Sequence, residues 1–327
     1  MLRILFLGAG ATGGYYGARL IESNAAQVSF LVRTREKALK LKANGLKIAS
    51  SHHGDIVVRN FQVFSTIAED DGNEEYDIIF VCCKSYDLES ACISLYPFAQ
   101  KHTRALILPV LNGLAHFDKL DERFGPERVV GGVSYVATTV LNDGTIQQLT
   151  EVQKIVFGPR PHNRDGSHNV LTRLKEAFSK TIVNVRLVQD IDQELWDKFV
   201  LLSTLAASTC LARAAVGDIM ASDEGEKIIL GMLKECVDAA EFAKHRPRME
   251  FQADVYKRLT ERGSILTASM MRDMEGNKPT EAQHIVYDML QRSRASGNSA
   301  IYLSVAWMVL QARDARLKRE SASVSKI

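Results

Sequence analysis

A chain of 327 residues is long for one domain and suits two. Hydrophobic residues make up 46% and charged residues 24%, with a formal net charge of +2, a balance that points away from nucleic acid or a membrane surface as partner. Five cysteines without a Cys-x-x-Cys spacing argue against a disulfide framework or a zinc site, and buried thiols in a reducing compartment are expected.

The apolar run Leu2–Leu7 predicts a strand that enters Gly8-Ala9-Gly10-Ala11-Thr12-Gly13, followed by a helix and a second strand, Val28–Val32. Strand, Gly-x-Gly-x-x-Gly turn, helix and strand make a dinucleotide-binding unit. Gly8 supplies the tight turn, Gly10 admits the pyrophosphate to the backbone, and Gly13 lets helix pack on strand. The helix then aims its N–H groups at the phosphates. An Asp or Glu ending the second strand would accept from the ribose 2′-hydroxyl of NAD. Here Arg33 holds that place, with Arg35 beyond it, and a guanidinium binds a 2′-phosphate bidentately. The cofactor expected is NADP(H).

A helix over Lys37–Asn44 follows, then short strands around Lys47–Ile48 and Val57–Val63, and the apolar strand Asp77–Cys82. Helix Leu88–Phe98 leads to strand Ala105–Leu108, which breaks at Pro109 and opens onto Asn112-Gly113. Val129–Ala137 reads as a strand. Asn142-Asp143-Gly144 is a hairpin turn between alternating runs that reach Phe157. Gly158–Asn169 is a loop, followed by helix Val170–Ser179 and strand Ile182–Val185. This alternation predicts an α/β, Rossmann-type doubly wound sheet, mostly parallel and finished by an antiparallel section.

Beyond about Asp190 the strand signals stop. Glu194–Leu211, Gly225–Lys244, Phe251–Arg262, Ser264–Glu275, Thr280–Ser296 and Ala300–Arg319 have helical periodicity, broken at Pro247, Gly263 and Pro279. The division expected is an NADP-binding domain over 1–188 and an all-α substrate domain over 189–327. The tail from Glu320 to Ile327 is expected to fray. No stretch reaches the roughly 20 apolar residues of a membrane span, and the first apolar run is too short for a signal peptide, so a cytoplasmic protein is expected.

In a doubly wound sheet ligands sit beyond the carboxyl ends of the strands. Lys84 follows Cys82-Cys83 there and suits a substrate carboxylate or the cofactor ribose. Asn112 follows the Ala105–Leu108 strand and offers a donor and an acceptor beside the nicotinamide. Either residue, taken alone, serves equally as a loop cap. In the helical half, Trp196-Asp197-Lys198-Phe199 sets a lysine on an apolar surface, which favours a cleft or a surface end. Ser269 lies on a helix ending near Gly276, and Glu281 starts the next, where it also complements the helix dipole. Neither His52-His53 nor His162 and His168 has metal-ligand spacing, and no metal is expected. Tyr15-Tyr16 reads as helix packing and cleft wall.

Jointly these positions resemble the ketopantoate reductase (2-dehydropantoate 2-reductase) family, NADPH enzymes of pantothenate biosynthesis. The resemblance runs along nearly the whole chain. It takes in the glycine turn, Arg33, Lys84, Asn112-Gly113, Trp196-Asp197-Lys198, and Ser269-Met270 followed by Lys278-Pro279-Thr280-Glu281. It implies that Lys198 donates the proton and Ser269 binds substrate, while Asn112 and Glu281 line the place where nicotinamide and substrate meet in a cleft between the domains. Gly8, Ala9, Gly10, Ala11, Thr12, Gly13, Arg33, Lys84 and Ala137 are the implied cofactor contacts. Hydride reaching a ketone carbon leaves charge on oxygen, which a lysine ammonium stabilises and protonates. Burial and a second cation at Lys84 would lower its pKa, and Glu281 would raise it. The family's asparagines one and two turns after the lysine are replaced here by Leu202 and Ala206, and a further one by Val216. That places the identity of the substrate between 2-dehydropantoate and a more apolar 2-oxo acid or ketone. A non-catalytic NADPH sensor is the reading from another class. A homodimer through the last helix is an open alternative to burial of Ile301–Leu310 in the core.

Overall fold

In the computed structural model, which describes residues 1–70 and 75–324, Arg3–Leu7 forms β1 with every residue buried. The following elements alternate as the apolar pattern predicts. These are α1 (Ala11–Glu22), β2 (Gln27–Leu31), α2 (Arg35–Asn44), β3 (Leu46–Ala49), β4 (Ile56–Val58), β5 (Gln62–Phe64) and β6 (Ile78–Val81). Then come α3 (Leu88–Lys101), β7 (Leu106–Pro109), α4 (His116–Phe124), β8 (Gly131–Val140), β9 (Ile146–Gly158), α5 (Ser167–Phe178) and β10 (Asn184–Leu187). Strands that read as continuous apolar runs, β1, β2, β6 and β7, lie side by side in an all-parallel sheet of order β5-β2-β1-β6-β7. Only a sheet covered on both faces accommodates such runs. Phe6 stacks on Phe80 at 4.6 Å and tilts against Phe30 at 5.6 Å, which welds the three central strands into one core. The order reverses at β1, so the loops after β1 and β6 flank the switch point where doubly wound sheets bind ligands.

The sheet is divided, where a single one finished by an antiparallel section was expected. β8 and β9 pair antiparallel across the Asn142-Asp143-Gly144 turn, and join β3, β4 and β10 in a second, mixed sheet. β9 alternates buried and exposed residues where it begins, as a strand with one wet face does. Residues 128–130 make the connection: Ile107 N–H donates to the Arg128 carbonyl at 2.8 Å and Val130 N–H to that of Ile107 at 3.0 Å, before the chain turns into β8. The expected strand around Val57–Val63 is likewise two strands, one in each sheet. Cys82 and Cys83 fall just past β6 and are partly exposed, not buried within a strand as expected, whereas Cys92, Cys210 and Cys236 are buried, and none of the five forms a disulfide.

The remaining elements are helical: α6 (Ile191–Ala212), α7 (Val216–Ile219), α8 (Gly225–Phe242), α9 (Met249–Leu259), α10 (Ser269–Glu275), a π-helical turn (Gln283–Tyr287), α11 (Asp288–Ala295) and α12 (Ile301–Val324). α10 starts later than its periodicity predicts. The segment before it lies against α7 instead, accepting Val216 N–H on the Leu266 carbonyl at 3.0 Å and Gly217 N–H on that of Ser264 at 2.8 Å. α12 runs on to Val324, past the expected start of fraying, and 325–327 lie outside the described residues. Contrary to the sequence expectation, α6 has the length and apolarity of a membrane span, with a mean hydropathy of 1.3 over its best window. Yet 72% of that window is buried, as in a core helix.

By contacts the chain forms two units. One is Met1–Leu111 with His116–Glu194, and the other is Asn112–Ala115 with Leu195 onward. The short segment Asn112–Ala115 therefore groups with the helical unit.

Candidate active site

The glycine turn opens the first unit. Gly8 sits at φ +96°, a conformation L side chains rarely adopt, and its N–H donates to the Leu31 carbonyl at 2.8 Å. A Cβ placed on Gly13 would come 2.7 Å from the Gly8 carbonyl, so helix and turn are in contact there. A Cβ placed on Gly10 meets nothing within 4 Å. Gly10 caps α1, whose first turn carries no acidic residue and whose cap makes no side-chain hydrogen bond. Open backbone at the positive end of a twelve-residue helix, with no side chain of its own in the way, fits a pyrophosphate. Ala9 is buried, while Ala11 and Thr12 keep partial exposure.

Arg33 follows β2 with its side chain 64% exposed. Thr34 caps α2 by accepting Lys37 N–H at 3.2 Å. Burial, and then the Arg33 charge, hold the Lys37 amine below its usual range, which places a second cation near that guanidinium. Arg33 is also paired with Asp87, at 2.7 Å, a partner that sequence reasoning missed. An acidic residue opening a helix reads as a dipole complement and nothing more. Lys84 precedes the 3-10 turn Ser85–Asp87 and accepts Asp87 N–H on its carbonyl at 2.9 Å. Ala137 falls at a register break between β8 and β9, the kind of irregularity that re-aims a strand beside a site. Tyr15 and Tyr16 are fully buried: their hydroxyls bond Gln148 at 3.0 Å and Ser134 at 2.8 Å, pinning α1 to the second sheet.

The second unit holds Lys198, Asn112, Glu281 and Ser269. In the run Trp196–Phe199 three side chains are structural. Trp196 stacks on His245 at 6.1 Å beneath the Arg292 guanidinium, Asp197 pairs with Arg248 at 2.8 Å, and Phe199 is buried. Lys198 alone keeps surface. Its Nζ donates to Asn112 Oδ1 at 3.2 Å, and Asn112 Nδ2 donates to Glu281 Oε2 at 3.4 Å. The amide thus faces the ammonium with its acceptor and the carboxylate with its donor. Glu281 is only 4% exposed. Burial draws the Lys198 pKa from the ordinary 10.5 down to about 8, against the charge of Glu281, which raises it.

Gly113, next to Asn112, packs closely against the segment after Glu281. It sits at φ +81°, and a Cβ there would lie 2.3 Å from the His284 carbonyl oxygen. That carbonyl belongs to the π-helical turn that follows Glu281, a distortion frequent at functional sites and invisible in the periodicity. The Asn-Gly pair in the sequence was the one signal of this approach. Ser269 is placed by a different contact: it is the first residue of α10, and Ala268 N–H before it donates to Thr209 Oγ1 on α6 at 3.4 Å. Leu202 is partly exposed one turn after Lys198, whereas Ala206 and Val216 are fully buried, so of the three replaced positions only Leu202 presents surface.

The family described as ketopantoate reductase PanE/ApbA matches residues 4–162, and its C-terminal counterpart matches residues 190–314. The chain belongs to this family. The first ketopantoate reductase match contains the glycine turn, Arg33, Lys84, Asn112 and Ala137, and the second contains Lys198, Ser269 and Glu281. The uncharacterized oxidoreductase YkpB of Bacillus subtilis (strain 168) is 28% identical over 316 residues, covering 96% of this chain and 99% of its own. The crystal structure of 2-dehydropantoate 2-reductase from Geobacter metallireducens GS-15 superposes with a TM-score of 0.81 at 25% identity, covering 95% of this chain and 99% of that one. The ternary structure of a D-mandelate dehydrogenase with NADH and anilino(oxo)acetate shares the fold, with a TM-score of 0.81 at 17% identity over 97% of this chain and 99% of that one. The chain is an oxidoreductase of the 2-dehydropantoate 2-reductase type, and its family uses a nicotinamide cofactor.

Proposed function

We propose that this chain uses NADPH to reduce 2-dehydropantoate to pantoate, with Lys198 as the proton donor. The observation that carries the reading is the Lys198–Asn112–Glu281 chain of hydrogen bonds, with its amine drawn down to about 8. A reduced nicotinamide, when bound, supplies hydride to the carbonyl carbon of the substrate. Gly8–Gly13 and the α1 N-terminus hold its pyrophosphate, and Arg33 with Lys37 meets a 2′-phosphate. Lys84 and Ala137 are further cofactor contacts in this reading.

Negative charge gathers on the carbonyl oxygen as the carbon is reduced. Lys198 Nζ donates a hydrogen bond to that oxygen, then transfers the proton and completes the hydroxyl. An amine with a pKa about 8 is mostly charged at pH 7, yet far better matched to this transfer than an ordinary lysine. Asn112 fixes the direction of the ammonium through its oxygen and is itself fixed by Glu281. The neutral amine left behind recovers its proton from water. Ser269 binds the polar groups of the substrate.

Leu202 favours a second reading within the same chemistry, a 2-oxo acid with a more apolar side chain than 2-dehydropantoate. Sites that hydrogen-bond a hydroxyl discriminate strongly, and a leucine there removes the partner. The test is steady-state oxidation of NADPH, with NADH as control, against 2-dehydropantoate and branched, aromatic and dicarboxylic 2-oxo acids. Highest kcat/KM on 2-dehydropantoate supports the first reading, and highest on an apolar acid the second. No turnover with any of them, while NADPH still binds, refutes both in favour of a sensor.

A further inference from the structure

The carboxyl ends of β2 and β6 flank that of β1, and each delivers one charged side chain to the same place. Arg33 follows β2, Asp87 closes the turn after β6, and Arg33 Nη2 lies 2.7 Å from Asp87 Oδ2. The pair is open to water, at 64% and 30% side-chain exposure, so it adds little to folding. The Asp87 carboxylate makes no helix-cap hydrogen bond, and its backbone alone closes the turn. If Arg33 reads a 2′-phosphate, this pair sets the charge that an adenosine ribose would meet. A phosphate seated on Arg33 arrives with a charge of roughly −1.5 to −2 beside a standing carboxylate. A ribose 2′-hydroxyl in the same place finds in that carboxylate the acceptor that NAD enzymes supply from the end of the second strand.

We infer that Asp87 is a specificity-determining residue that opposes the preference of Arg33 for NADPH and gives NADH a hydroxyl acceptor. The arrangement sets two opposed readers on one ribose position: a guanidinium that selects phosphate, and a carboxylate that selects hydroxyl and neutralises the guanidinium when phosphate is absent. This rests on the proposed role of Arg33. The size of the effect follows from charge separation. A carboxylate about 5 Å from the phosphate, screened as at a wet surface, weakens its binding by about five- to tenfold.

The test is direct binding of NADPH and of NADH to the purified full chain, followed by the change in reduced-nicotinamide fluorescence. Wild type, Asp87→Asn, Asp87→Ala and Arg33→Ala are compared, with circular dichroism to check folding. Both Asp87 variants are expected to lower the Kd for NADPH about five- to tenfold at low ionic strength, to raise that for NADH, and to lose much of the difference in high salt. Arg33→Ala is expected to weaken NADPH and leave NADH nearly unchanged. If Arg33→Ala behaves so while both Asp87 variants keep the wild-type ratio of the two constants within twofold, the role of Asp87 is overturned and that of Arg33 stands. If Arg33→Ala leaves NADPH binding unchanged, the 2′-phosphate reading falls and the role of Asp87 falls with it.

Discussion

Replacing Lys198 by methionine tests the proton donor through stability and rate together. Burial draws the amine from 10.5 to about 8, and at about 1.36 kcal/mol per pH unit this costs the folded state roughly 3 kcal/mol while the amine is charged. Between pH 8 and 10.5 the unfolded chain holds the proton and the folded chain has released it. Wild-type stability from this site therefore rises with pH across that window, and below it the penalty is constant. Methionine keeps an unbranched apolar stem and removes the charge. At pH 7 it recovers part of the penalty, offset by about 1–3 kcal/mol for Asn112 deprived of its donor and Glu281 of a nearby positive charge. The net at one pH is small, but its change with pH is not. The stability of Lys198→Met relative to wild type should fall by about 2–3 kcal/mol from pH 7 to pH 10, read from urea unfolding at several pH values. Turnover should fall by about 10²–10⁴ at pH 7. Wild-type kcat/KM for reduction should be level below about pH 8 and decline above it, as the donor loses its proton. A stability difference independent of pH, with a rate profile level to pH 10, would refute the buried-ammonium argument.

The two glycines of the first turn should respond oppositely. Gly10→Ala, entering open space, should leave stability within about 0.5 kcal/mol and raise the Kd for NADPH, whereas Gly13→Ala should lower the melting temperature because its Cβ meets the Gly8 carbonyl at 2.7 Å. Gly113→Ala, strained at φ +81° and 2.3 Å from the His284 oxygen, should destabilise by about 1–3 kcal/mol or more and depress kcat by displacing Asn112; a variant as active and as stable as wild type would contradict that placement. Leu202→Asn should raise kcat/KM on 2-dehydropantoate about tenfold or more if this leucine weakens recognition of the substrate hydroxyl, and no gain in side-by-side kinetics would count against it. Ala206 is fully buried, so an Asn there is expected to overpack and not to rescue specificity.

The strand–turn–helix at the glycine turn is legible because its physics is local. An apolar strand, a residue that must adopt positive φ and a helix start occupy consecutive positions, and Gly8 behaves as its place demands. Lys198 stood out as a charge on an apolar surface, and Glu281 only through the family pattern. The pairing of Arg33 with Asp87 was not legible, since strand order brings together the ends of β2 and β6 across many intervening residues. The start of α10 differs from its periodicity for a similar reason: the residues before it satisfy backbone groups of α7 in preference to helical ones of their own.

By itself the sequence determined the periodicities, the alternation of strand and helix, and the glycine turn between the first strand and its helix. These depend on neighbours within a turn or a strand. Only the tertiary structure decided that the strands divide between two sheets and that Asn112 joins the helical unit. It also decided that one amide joins Lys198 to Glu281, and that the lysine lies deep enough for its pKa to fall to about 8. Burial and charge proximity are properties of packing between distant segments, and no local pattern encodes them.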